Sequence, residues 1–394
     1  MSTLLTAEEA ASLLGVSRQT LYAYVSRGLL RAREADDPRE RRYARDEVTR
    51  LAAQRSRGRK PREVAKAALD WGTPVLESGI TLIQDGQLYY RGANAAPLAE
   101  TMSVEALAAR LWQCDEASAF ATPPRTIPAE IMAVLPAACT PDAMLTRFVM
   151  LSEDEPTAIW QREPARVAAG SGALLRAVAG ALLQRSPTMA PIDQQCADVW
   201  QLDAAGRDLV RKALILCADH ELNVSSFTGR CVASAGASLR AVVVAGLAAL
   251  SGTRHGGATA RAEALLDDLA RAATPAEGLR QRLARGESVA GFGHPLYPDG
   301  DMRATLLLQA ILPTHSEWTE VIEAVAEILG RRPTIDLALV LLRRHLGLPV
   351  GTAFGLFALG RTIGWIAHAL EQRQHGHLIR PRAAYIGVTP ERQF

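Results

Sequence analysis

Residues 291–297 read Gly-Phe-Gly-His-Pro-Leu-Tyr and place a histidine directly after a glycine, in a chain that has only eight histidines. Two further polar sites flank this one: Gly-Thr-Arg-His-Gly-Gly-Ala at residues 252–258 and Arg-Pro-Thr-Ile-Asp at residues 332–336. Glycine lets backbone or ligand approach closely, as a catalytic pocket requires. A histidine beside glycine is by itself more often a turn residue, so the prediction rests on the combination. The set that suits acid and base catalysis is His255, His294 and Asp336.

The regions around these sites predict a mainly α fold. Apolar residues recur at helical spacing from Val104 to Val388, without internal repeats or low-complexity segments. Residues 79–92 alternate around an Asp-Gly turn and predict a β-hairpin, the only substantial β element outside the N-terminal module. The predicted helix breaks are Pro123-Pro124, Pro141, residues 186–191, Gly252, Pro275 and Pro298.

The first 60 residues have the pattern of a small winged helix module. Residues 6–15 begin with Thr and Glu at capping-box spacing and predict a first helix, and a second helix is expected after Ser17. Residues 29–33 and 41–43 predict the two strands of a wing, with a further helix from Asp46. This pattern resembles MerR-type and excisionase-type DNA-binding domains. The residues expected to contact DNA are Arg18, Gln19, Thr20 and Tyr22.

The charge distribution is compatible with two roles for this module. Residues 1–62 contain 14 basic and 8 acidic side chains, a net charge of +6, and the remaining chain has 30 against 34, a net charge of −4. We expect a basic linker at residues 55–64, where phosphate contact and a solvated tether remain equal alternatives. The module either binds DNA or has kept its fold to mediate dimer or partner contacts.

The cysteines and the N-terminus bear on the cell compartment. Five cysteines form neither CxxC pairs nor an even disulfide framework, which indicates reduced thiols in a cytoplasmic protein. The first residues lack the basic and apolar regions of a signal peptide. The apolar run at residues 232–250 is interrupted by Ser, Gly and Arg240, and this favours a buried core helix over a membrane span. We therefore expect no membrane partner.

Several motifs in a fixed order carry a resemblance to one enzyme family. They are Ala-Asp-His-Glu-Leu-Asn-Val-Ser at 218–225, the segments at 252–258 and 291–297, Asp-Met-Arg-Ala at 301–304, Gly-Arg-Thr-Ile-Gly-Trp-Ile-Ala-His at 360–368, Arg-Pro-Arg at 380–382 and Tyr-Ile-Gly at 385–387. In this order the segments resemble the citrate synthase family. The resemblance is strongest over residues 210–394 and extends back to about residue 65.

The resemblance implies a domain arrangement. A winged helix domain at residues 1–54 would precede a large helical domain formed by residues 65–258 and 346–394. A small helical domain at residues 259–345 would be inserted near its end, with the active site in the cleft between the two. Closure of such a cleft excludes water during carbanion chemistry. Members of the family are homodimers, so a homodimer is expected.

The resemblance also implies an activity, the condensation of acetyl-CoA with oxaloacetate to give citrate and CoA in the tricarboxylic acid cycle. Asp336 would be the base that deprotonates the acetyl group. His255 would donate to the thioester oxygen as negative charge develops there, and His294 would polarise and protonate the ketone. The chain would then be a transferase that uses acetyl-CoA as co-substrate, without a tightly bound cofactor and without a metal.

Substrate contacts follow from the same match. Guanidinium groups bind carboxylates through two parallel hydrogen bonds. The residues matched to oxaloacetate binding are His220, Arg303, Arg361 and Arg380, the last supplied across the dimer interface in the family. The residues matched to CoA binding lie at 287–293 and include Val289, Ala290, Gly291 and Gly293.

Two departures from the family pattern keep other functions open. Cys217 stands where many members have histidine, and Leu-Ala-Leu-Val follows Asp336 where the family has an aromatic-Tyr-Ser-Gly-like stretch. One alternative is 2-methylcitrate synthase, which uses propionyl-CoA. Another is a DNA-binding transcriptional regulator whose synthase-like body senses a metabolite.

Overall fold

The computed structural model describes residues 4–14, 16–26, 30, 32–34, 41–45, 47–49, 51, 76–383 and 385–388. The chain forms two compact units, residues 1–77 and residues 78–394. The predicted linker at residues 55–64 lies outside the described residues.

The N-terminal unit contains the two predicted helices and a three-stranded antiparallel sheet. The helices are Ala7–Leu14 (α1) and Arg18–Ser26 (α2), and the strands are Leu4–Leu5 (β1), Ala32–Glu34 (β2) and Arg41–Ala44 (β3) in the order β1-β3-β2. The wing is thereby confirmed, and β1 is an additional strand that the sequence did not indicate. Residues 47–49 and 51 are helical, as expected for a helix near Asp46.

The predicted capping box at the start of α1 is present. The Thr6 backbone N–H donates to Glu9 Oε2 at 2.8 Å, and the Glu9 backbone N–H donates to Thr6 Oγ1 at 3.2 Å. A small apolar core holds the unit together through Leu5, Leu14, Leu21, Tyr43 and Val48, all buried.

The second unit begins with the predicted hairpin. Thr81–Gln84 (β4) pairs with Gln87–Tyr90 (β5) around Asp85 and Gly86, whose φ angles of 52° and 72° are those of a tight hairpin turn. Ala93–Asn94 (β6) adds a third short strand to the other edge of β5, which the sequence did not predict.

Helices form the remainder of the second unit, as predicted. In chain order they are Ala95–Thr101 (α3), Val104–Trp112 (α4), Glu116–Phe120 (α5), Ala129–Val134 (α6), Pro141–Leu151 (α7), Pro164–Leu183 (α8), Ile192–Trp200 (α9), Ala204–Leu216 (α10), Val224–Ser234 (α11), Leu239–Leu250 (α12), Ala258–Ala270 (α13), Pro275–Ala284 (α14), Met302–Ile311 (α15), Ser316–Leu329 (α16), Ile335–His345 (α17) and Thr352–His375 (α18). Short 3-10 turns occur at Glu155–Thr157 and Leu312–Thr314.

Helix α18 is the centre of this unit. It packs against α8, α10, α11, α12 and α17, and nearly all of its residues up to Gln372 are buried. Helices α8 and α18 are long and apolar enough to cross a membrane, but 78% and 94% of their apolar windows are buried inside the protein. Their composition is therefore accounted for by their position in the core.

Two details of the sequence prediction were wrong, the run at residues 232–250 and the extent of the last helix. The run at residues 232–250 is not one core helix, because Gly236, with φ of 85°, separates α11 from α12. The predicted breaks at Pro141 and Pro275 are present, and each proline is the first residue of the next helix, α7 or α14, where it has no N–H that the helix would need. After Gly376 the described chain is not helical, although helical spacing was expected as far as Val388.

The predicted small domain corresponds to helices α13 to α17. Within it α17 packs against both α13 and α15, and α14 packs against α16. Since residues 78–394 form one compact unit, domain boundaries at residues 258 and 345 stay a prediction.

Gly364→Ala tests the close packing of α18 against residues 217–220. A Cβ at this position would lie 2.4 Å from the Ala218 carbonyl oxygen and 2.4 Å from Asp219 Oδ1. We expect a loss of about 1–3 kcal/mol in the free energy of unfolding, the usual cost of overpacking a core, measured by urea denaturation. Gly252→Ala is the control, since its Cβ would meet no atom closer than 3.4 Å. Equal stability of the two variants would contradict the close packing.

Candidate active site

The segment that joins α10 to α11 is held against α18 and carries His220. The Gly364 N–H donates to the Ala218 carbonyl oxygen at 2.9 Å. The Arg361 Nε donates to the Cys217 carbonyl oxygen at 2.9 Å. These backbone contacts fix the position of His220, which is 7% exposed and whose pKa burial lowers well below its usual value.

A network of buried charges lies behind this segment. Asp219 accepts from Thr81 Oγ1 at 2.6 Å and from His368 Nε2 at 3.2 Å. The other ring nitrogen of His368 accepts from Arg230 Nε at 3.0 Å. Arg230 in turn forms an ion pair with Glu371, which also accepts from the Gly79 N–H. The network therefore connects the hairpin, α11 and α18 beneath His220.

His255 lies in the turn before α13 and is oriented by a serine. Its Nε2 is 2.8 Å from Ser225 Oγ, which is 2.7 Å from Asn223 Oδ1 and accepts from Trp365 Nε1 at 3.0 Å. The His255 Nδ1 makes no hydrogen bond to any residue in the described part of the chain. Burial, with a smaller effect of Arg361, lowers the pKa of His255 to about 3. The ring is therefore neutral at pH 7.

The protonated nitrogen of His294 follows from its backbone contact. The Leu296 N–H donates to His294 Nδ1 at 3.2 Å. Because that nitrogen accepts, the proton of the neutral ring is on Nε2. Burial and the nearby Arg303 lower the pKa of His294 to about 4. His294 is thus a neutral hydrogen-bond donor at pH 7.

His294 and His220 meet around Tyr297. The two imidazole centroids are 5.1 Å apart with the rings edge to face. Tyr297 Oη lies 3.0 Å from His220 Nε2, and the Tyr297 ring centroid is 5.3 Å from that of His294. One buried tyrosine therefore holds two of the predicted site histidines.

Asp336 is the second residue of α17. Thr334 Oγ1 donates to Asp336 Oδ2 at 3.2 Å. Burial, opposed by Arg303 and by the Thr334 hydrogen bond, raises the pKa of Asp336 to about 6. A carboxylate with this pKa is a stronger base than an ordinary aspartate and is still mostly ionised at pH 7.

The predicted CoA segment is bridged to the residues before Asp336. The Thr334 N–H donates to the Gly291 carbonyl oxygen at 2.9 Å, and the Gly293 N–H donates to the Arg332 carbonyl oxygen at 2.8 Å. Gly291 has φ of 83°, and a Cβ there would lie 3.0 Å from Leu337 Cβ. Three of the predicted CoA residues are buried, Val289, Ala290 and Gly291, whereas Gly293 is exposed.

Arg303 and Arg361 are both buried, at 2% and 1% exposure. Arg303 is paired with Asp301 through Nε at 2.9 Å and Nη2 at 2.8 Å. Arg361 forms no salt bridge with a described residue, and its Nη2 is buried without any hydrogen-bond partner. The nearby Asp219 carboxylate offsets part of the Arg361 charge, and Nη2 is a donor available to an anion.

The structure brings six of the seven predicted catalytic and substrate residues together. Phe357 joins two of them, with its ring 5.9 Å from that of His255 and 5.0 Å from Arg361 Cζ. Arg380 is the exception, because it is exposed in the segment after α18 and makes no contact with the other six in the part of the chain that the structure describes. Among the described residues, no cluster of three or more His, Cys, Asp or Glu side chains could hold a metal.

The residues predicted to contact DNA lie in the first two turns of α2. Gln19 is exposed, Thr20 is half-buried, and Tyr22 is 52% exposed. Arg18 is exposed but forms an ion pair with Glu8 of α1 at 2.5 Å. Such an exposed pair is weak enough for phosphate to compete.

Sequence reasoning missed five residues that orient the site. They are Asn223, Ser225, Tyr297, Asp301 and Trp365. All five fall inside the motifs quoted above, but only the fold shows what each one contacts. Asn223 and Asp301 carried a local signal, because Asn or Asp just before a helical run is a typical N-cap.

Comparison with known proteins decides the family. Residues 68–382, which are 315 of the 394 residues, match the family described as citrate synthase, C-terminal domain. The chain belongs to the citrate synthase family. Residues 4–56 separately match a helix-turn-helix domain, in agreement with the observed α1 and α2.

Relatives within the family carry two different names. The chain is 37% identical over 185 residues to citrate synthase of Haloferax volcanii, covering 44% of this chain and 49% of the relative. It is 35% identical over 191 residues to citrate synthase 2 of Bacillus subtilis, covering 46% and 51%. It is 32% identical over 197 residues to 2-methylcitrate synthase of Shewanella oneidensis, covering 46% and 50%. The chain thus spans about half the length of the curated relatives it matches.

Solved structures support the fold over a longer region. Citrate synthase from Thermotoga maritima matches with a TM-score of 0.68 and 24% identity, over 82% of this chain and 96% of that one. The citrate synthase of Thermoplasma acidophilum, in a ternary complex with carboxymethyl coenzyme A and oxaloacetate, matches with a TM-score of 0.69 and 21% identity, over 84% and 98%. At these sequence identities the comparison shows that the folds are similar and nothing more.

The buried neutral histidines predict a pH dependence of stability. His255 and His294 have folded-state pKa values of about 3 and about 4, below the unfolded value of 6.5. Between pH 6.5 and 4 the unfolded chain therefore binds more protons, and the free energy of unfolding falls as the pH falls. Asp336, whose pKa is raised, contributes a smaller opposite slope below pH 6.

The measurement is urea denaturation at intervals from pH 7 to pH 4.5. His255→Gln should reduce the slope of stability against pH by up to about 1.4 kcal/mol per pH unit. His377→Gln replaces an exposed histidine and should leave the slope unchanged. A His255→Gln slope equal to that of the wild type would show that His255 is not buried in its neutral form.

Proposed function

We propose that the chain condenses acetyl-CoA with oxaloacetate to form citrate and CoA. The observation that carries the proposal is the unpaired buried guanidinium of Arg361 beside two neutral histidines and a carboxylate of raised pKa. A dicarboxylate would compensate the buried positive charge. The remaining groups form an acid and base set that requires no metal.

The first step is removal of a proton from the acetyl methyl group by Asp336. A methyl group next to a thioester is a weak acid, so the base must be strong and the developing enolate oxygen must be stabilised. We assign the stabilising donor to His255. In the structure the Ser225 hydroxyl donates to Asn223 Oδ1, so His255 can donate from Nδ1, the nitrogen without a partner among the described residues, only when that hydroxyl turns to donate to His255 Nε2.

The second step joins the enolate carbon to the ketone carbon of oxaloacetate. His294 donates from Nε2 to the ketone oxygen, and transfer of that proton gives the hydroxyl of citryl-CoA. Water then hydrolyses the thioester, so that acetyl-CoA, oxaloacetate and water become citrate and CoA. Both histidines can act in this way because burial keeps them neutral at pH 7.

We assign oxaloacetate binding to Arg303, Arg361 and His220, with Arg380 supplied by a second copy of the chain. Arg380 is exposed in the segment after α18, which suits a residue that completes a neighbouring site in a homodimer. CoA is assigned to residues 287–293, because the bridge from Gly291 and Gly293 to the segment before Asp336 brings a bound thioester near the base.

Propionyl-CoA is the competing acyl donor. Relatives named 2-methylcitrate synthase match this chain over a similar length to those named citrate synthase. The Leu-Ala-Leu-Val stretch after Asp336 is buried. CoA release measured with each donor at equal concentration ranks the two.

Asp336→Asn is the direct test of the base. Since general base catalysis contributes about 100- to 10,000-fold, we expect CoA release that depends on oxaloacetate to fall by that factor. Oxaloacetate binding, measured by calorimetry, should be largely retained. Asp299→Asn changes an exposed carboxylate and should leave turnover intact. Wild-type turnover in Asp336→Asn would exclude Asp336 as the base.

A second function is favoured by the N-terminal unit. Residues 4–56 match a helix-turn-helix domain, and the start of α2 presents Gln19 and Tyr22 to solvent. We propose that this unit binds double-stranded DNA and that the synthase-like unit links binding to the metabolite state. Such linkage requires oxaloacetate to change DNA affinity by a measurable coupling free energy.

DNA selected from a randomised duplex library provides the probe for this second function. Gln19→Ala and Tyr22→Ala should each weaken binding by about 1–3 kcal/mol if they contact bases, measured by fluorescence anisotropy at fixed salt. Gln374→Ala, exposed at the end of α18, is the control. Selection of no sequence by the full chain would reject DNA recognition, and equal affinity with and without oxaloacetate would reject sensing.

A further inference from the structure

Asp301 lies where the starts of two helices meet inside the site. It precedes α15, which begins at Met302 and carries Arg303, and it contacts the start of α17, which carries Asp336. The side chain is only 2% exposed. No role in catalysis or substrate binding was assigned to it above, although it lies between a proposed substrate residue and the proposed base.

The Asp301 carboxylate is fully occupied by protein donors. Oδ1 accepts from the Arg303 backbone N–H at 3.1 Å and from Arg303 Nε at 2.9 Å. Oδ2 accepts from Arg303 Nη2 at 2.8 Å and from the Ile335 backbone N–H at 3.0 Å. A carboxylate has about four lone-pair positions. Asp301 is therefore unavailable as a base or as a ligand.

The contact with Ile335 is a helix cap supplied from outside the helix. Thr334 occupies the N-cap position of α17, but its side chain makes no capping hydrogen bond and instead donates to Asp336. Asp301 provides the missing acceptor for the first N–H of α17 while it also caps its own helix α15. Two helix N-termini thus stabilise the same negative charge.

The pairing also decides which part of Arg303 a substrate can reach. Nε and Nη2 point at Asp301, whereas Nη1 makes no hydrogen bond to any residue that the structure describes. The guanidinium plane is further fixed by the Tyr297 ring, whose centroid is 5.3 Å from Arg303 Cζ. Arg303 is therefore presented in one orientation, with Nη1 as its available donor.

We propose that Asp301 is a positioning residue that fixes the substrate-binding Arg303 and the helix carrying the base Asp336 to one another. This inference rests on the proposed function for the roles of Arg303 and Asp336. The structural link stands on the four hydrogen bonds. In addition, the Asp301 charge offsets part of the effect of Arg303 on Asp336, because Arg303 lowers the pKa of Asp336 and Asp301 raises it to a smaller extent.

The link between Asp301 and Asp336 can be tested through the pKa of Asp336, because few charged and titratable groups face that carboxylate. They are Arg303 and Asp301 from the start of α15 and the Cys217 thiol from the end of α10, and Thr334 adds a hydrogen bond. Arg303 favours the ionised form of Asp336, whereas Asp301 opposes it. Asp301→Asn would leave Arg303 uncompensated, and an unbalanced cation at this range lowers a carboxyl pKa by about one pH unit or more.

The experiment uses the full chain labelled with 13C at the aspartate side-chain carboxyl carbon. Its NMR titration gives the pKa of Asp336, with the resonance identified by its absence in Asp336→Asn. Asp301→Asn is the test variant, because asparagine retains the capping oxygen and removes the charge. Asp203→Asn is the matched control, since Asp203 caps α10 through the Gly206 N–H in the same way.

In Asp301→Asn we expect the pKa of Asp336 to fall by about one unit and oxaloacetate binding to weaken at least about tenfold. The second result separates positioning from charge alone, because an additional uncompensated cation would by itself tighten the binding of an anion. An unchanged Asp336 pKa in the folded variant, or tighter binding, would overturn the proposal. Asp203→Asn should change neither quantity.

If Asp301→Asn does not fold, the double variant Asp301→Asn with Arg303→Gln removes both charges. Its Asp336 pKa should rise above the wild-type value, because Arg303 lowers this pKa more than Asp301 raises it, and an equal or lower value would overturn the proposal. The NMR titration of Asp336 does not require the protein to be catalytically active. Absence of CoA release by the wild type would therefore reject the proposed reaction without deciding the role of Asp301.

Discussion

Compensation of charges buried inside an apolar helical core is the constraint on which the rest of the structure depends. Arg303 is matched by Asp301, Arg230 by Glu371, and Asp219 by Thr81 and His368. These groups could not be buried in isolation, because an unpaired ion in such surroundings costs several kcal/mol. Arg361 Nη2 is left without a partner in the described part of the chain, as is Nε of Arg373, and of these two arginines Arg361 is the one that belongs to the predicted site. Its free N–H is a donor available to a ligand.

The same burial prepares the acid and base groups for opposite tasks. Removal from water disfavours the charged form of any group, so it lowers the pKa values of His255 and His294 and raises that of Asp336. The histidines thereby remain neutral donors, and the carboxylate becomes a better base. Neighbouring groups then determine the tautomer and the size of the pKa shift. The Leu296 N–H sets which nitrogen of His294 carries the proton, and Arg303 limits how far the Asp336 pKa can rise.

Much of this site could be predicted from the sequence, but only part of its organisation. The glycine-flanked His255 and His294, together with Asp336 and the arginines, were identified from motifs in order, and the structure brings them together except for Arg380. The hairpin and the helix-turn-helix followed from Asp-Gly and from the Thr6 capping box. What could not be predicted depends on contacts between residues distant in the chain. Asp301 and Ile335, which it caps at the start of α17, are 34 positions apart in the chain. The break at Gly236 could not be predicted because one long buried helix and two shorter buried helices give the same run of apolar residues.

The two-residue ladder between residues 291–293 and 332–334 has a further consequence. It joins the loop assigned to CoA to the residues that precede the base through a pair of backbone hydrogen bonds. Backbone hydrogen bonds do not involve the side chains that follow Asp336, so substitutions in that stretch leave the spacing of the two segments unchanged. The positions where a side chain would strain the ladder are instead Gly291 and Gly293, whose φ angles of 83° and 79° favour glycine.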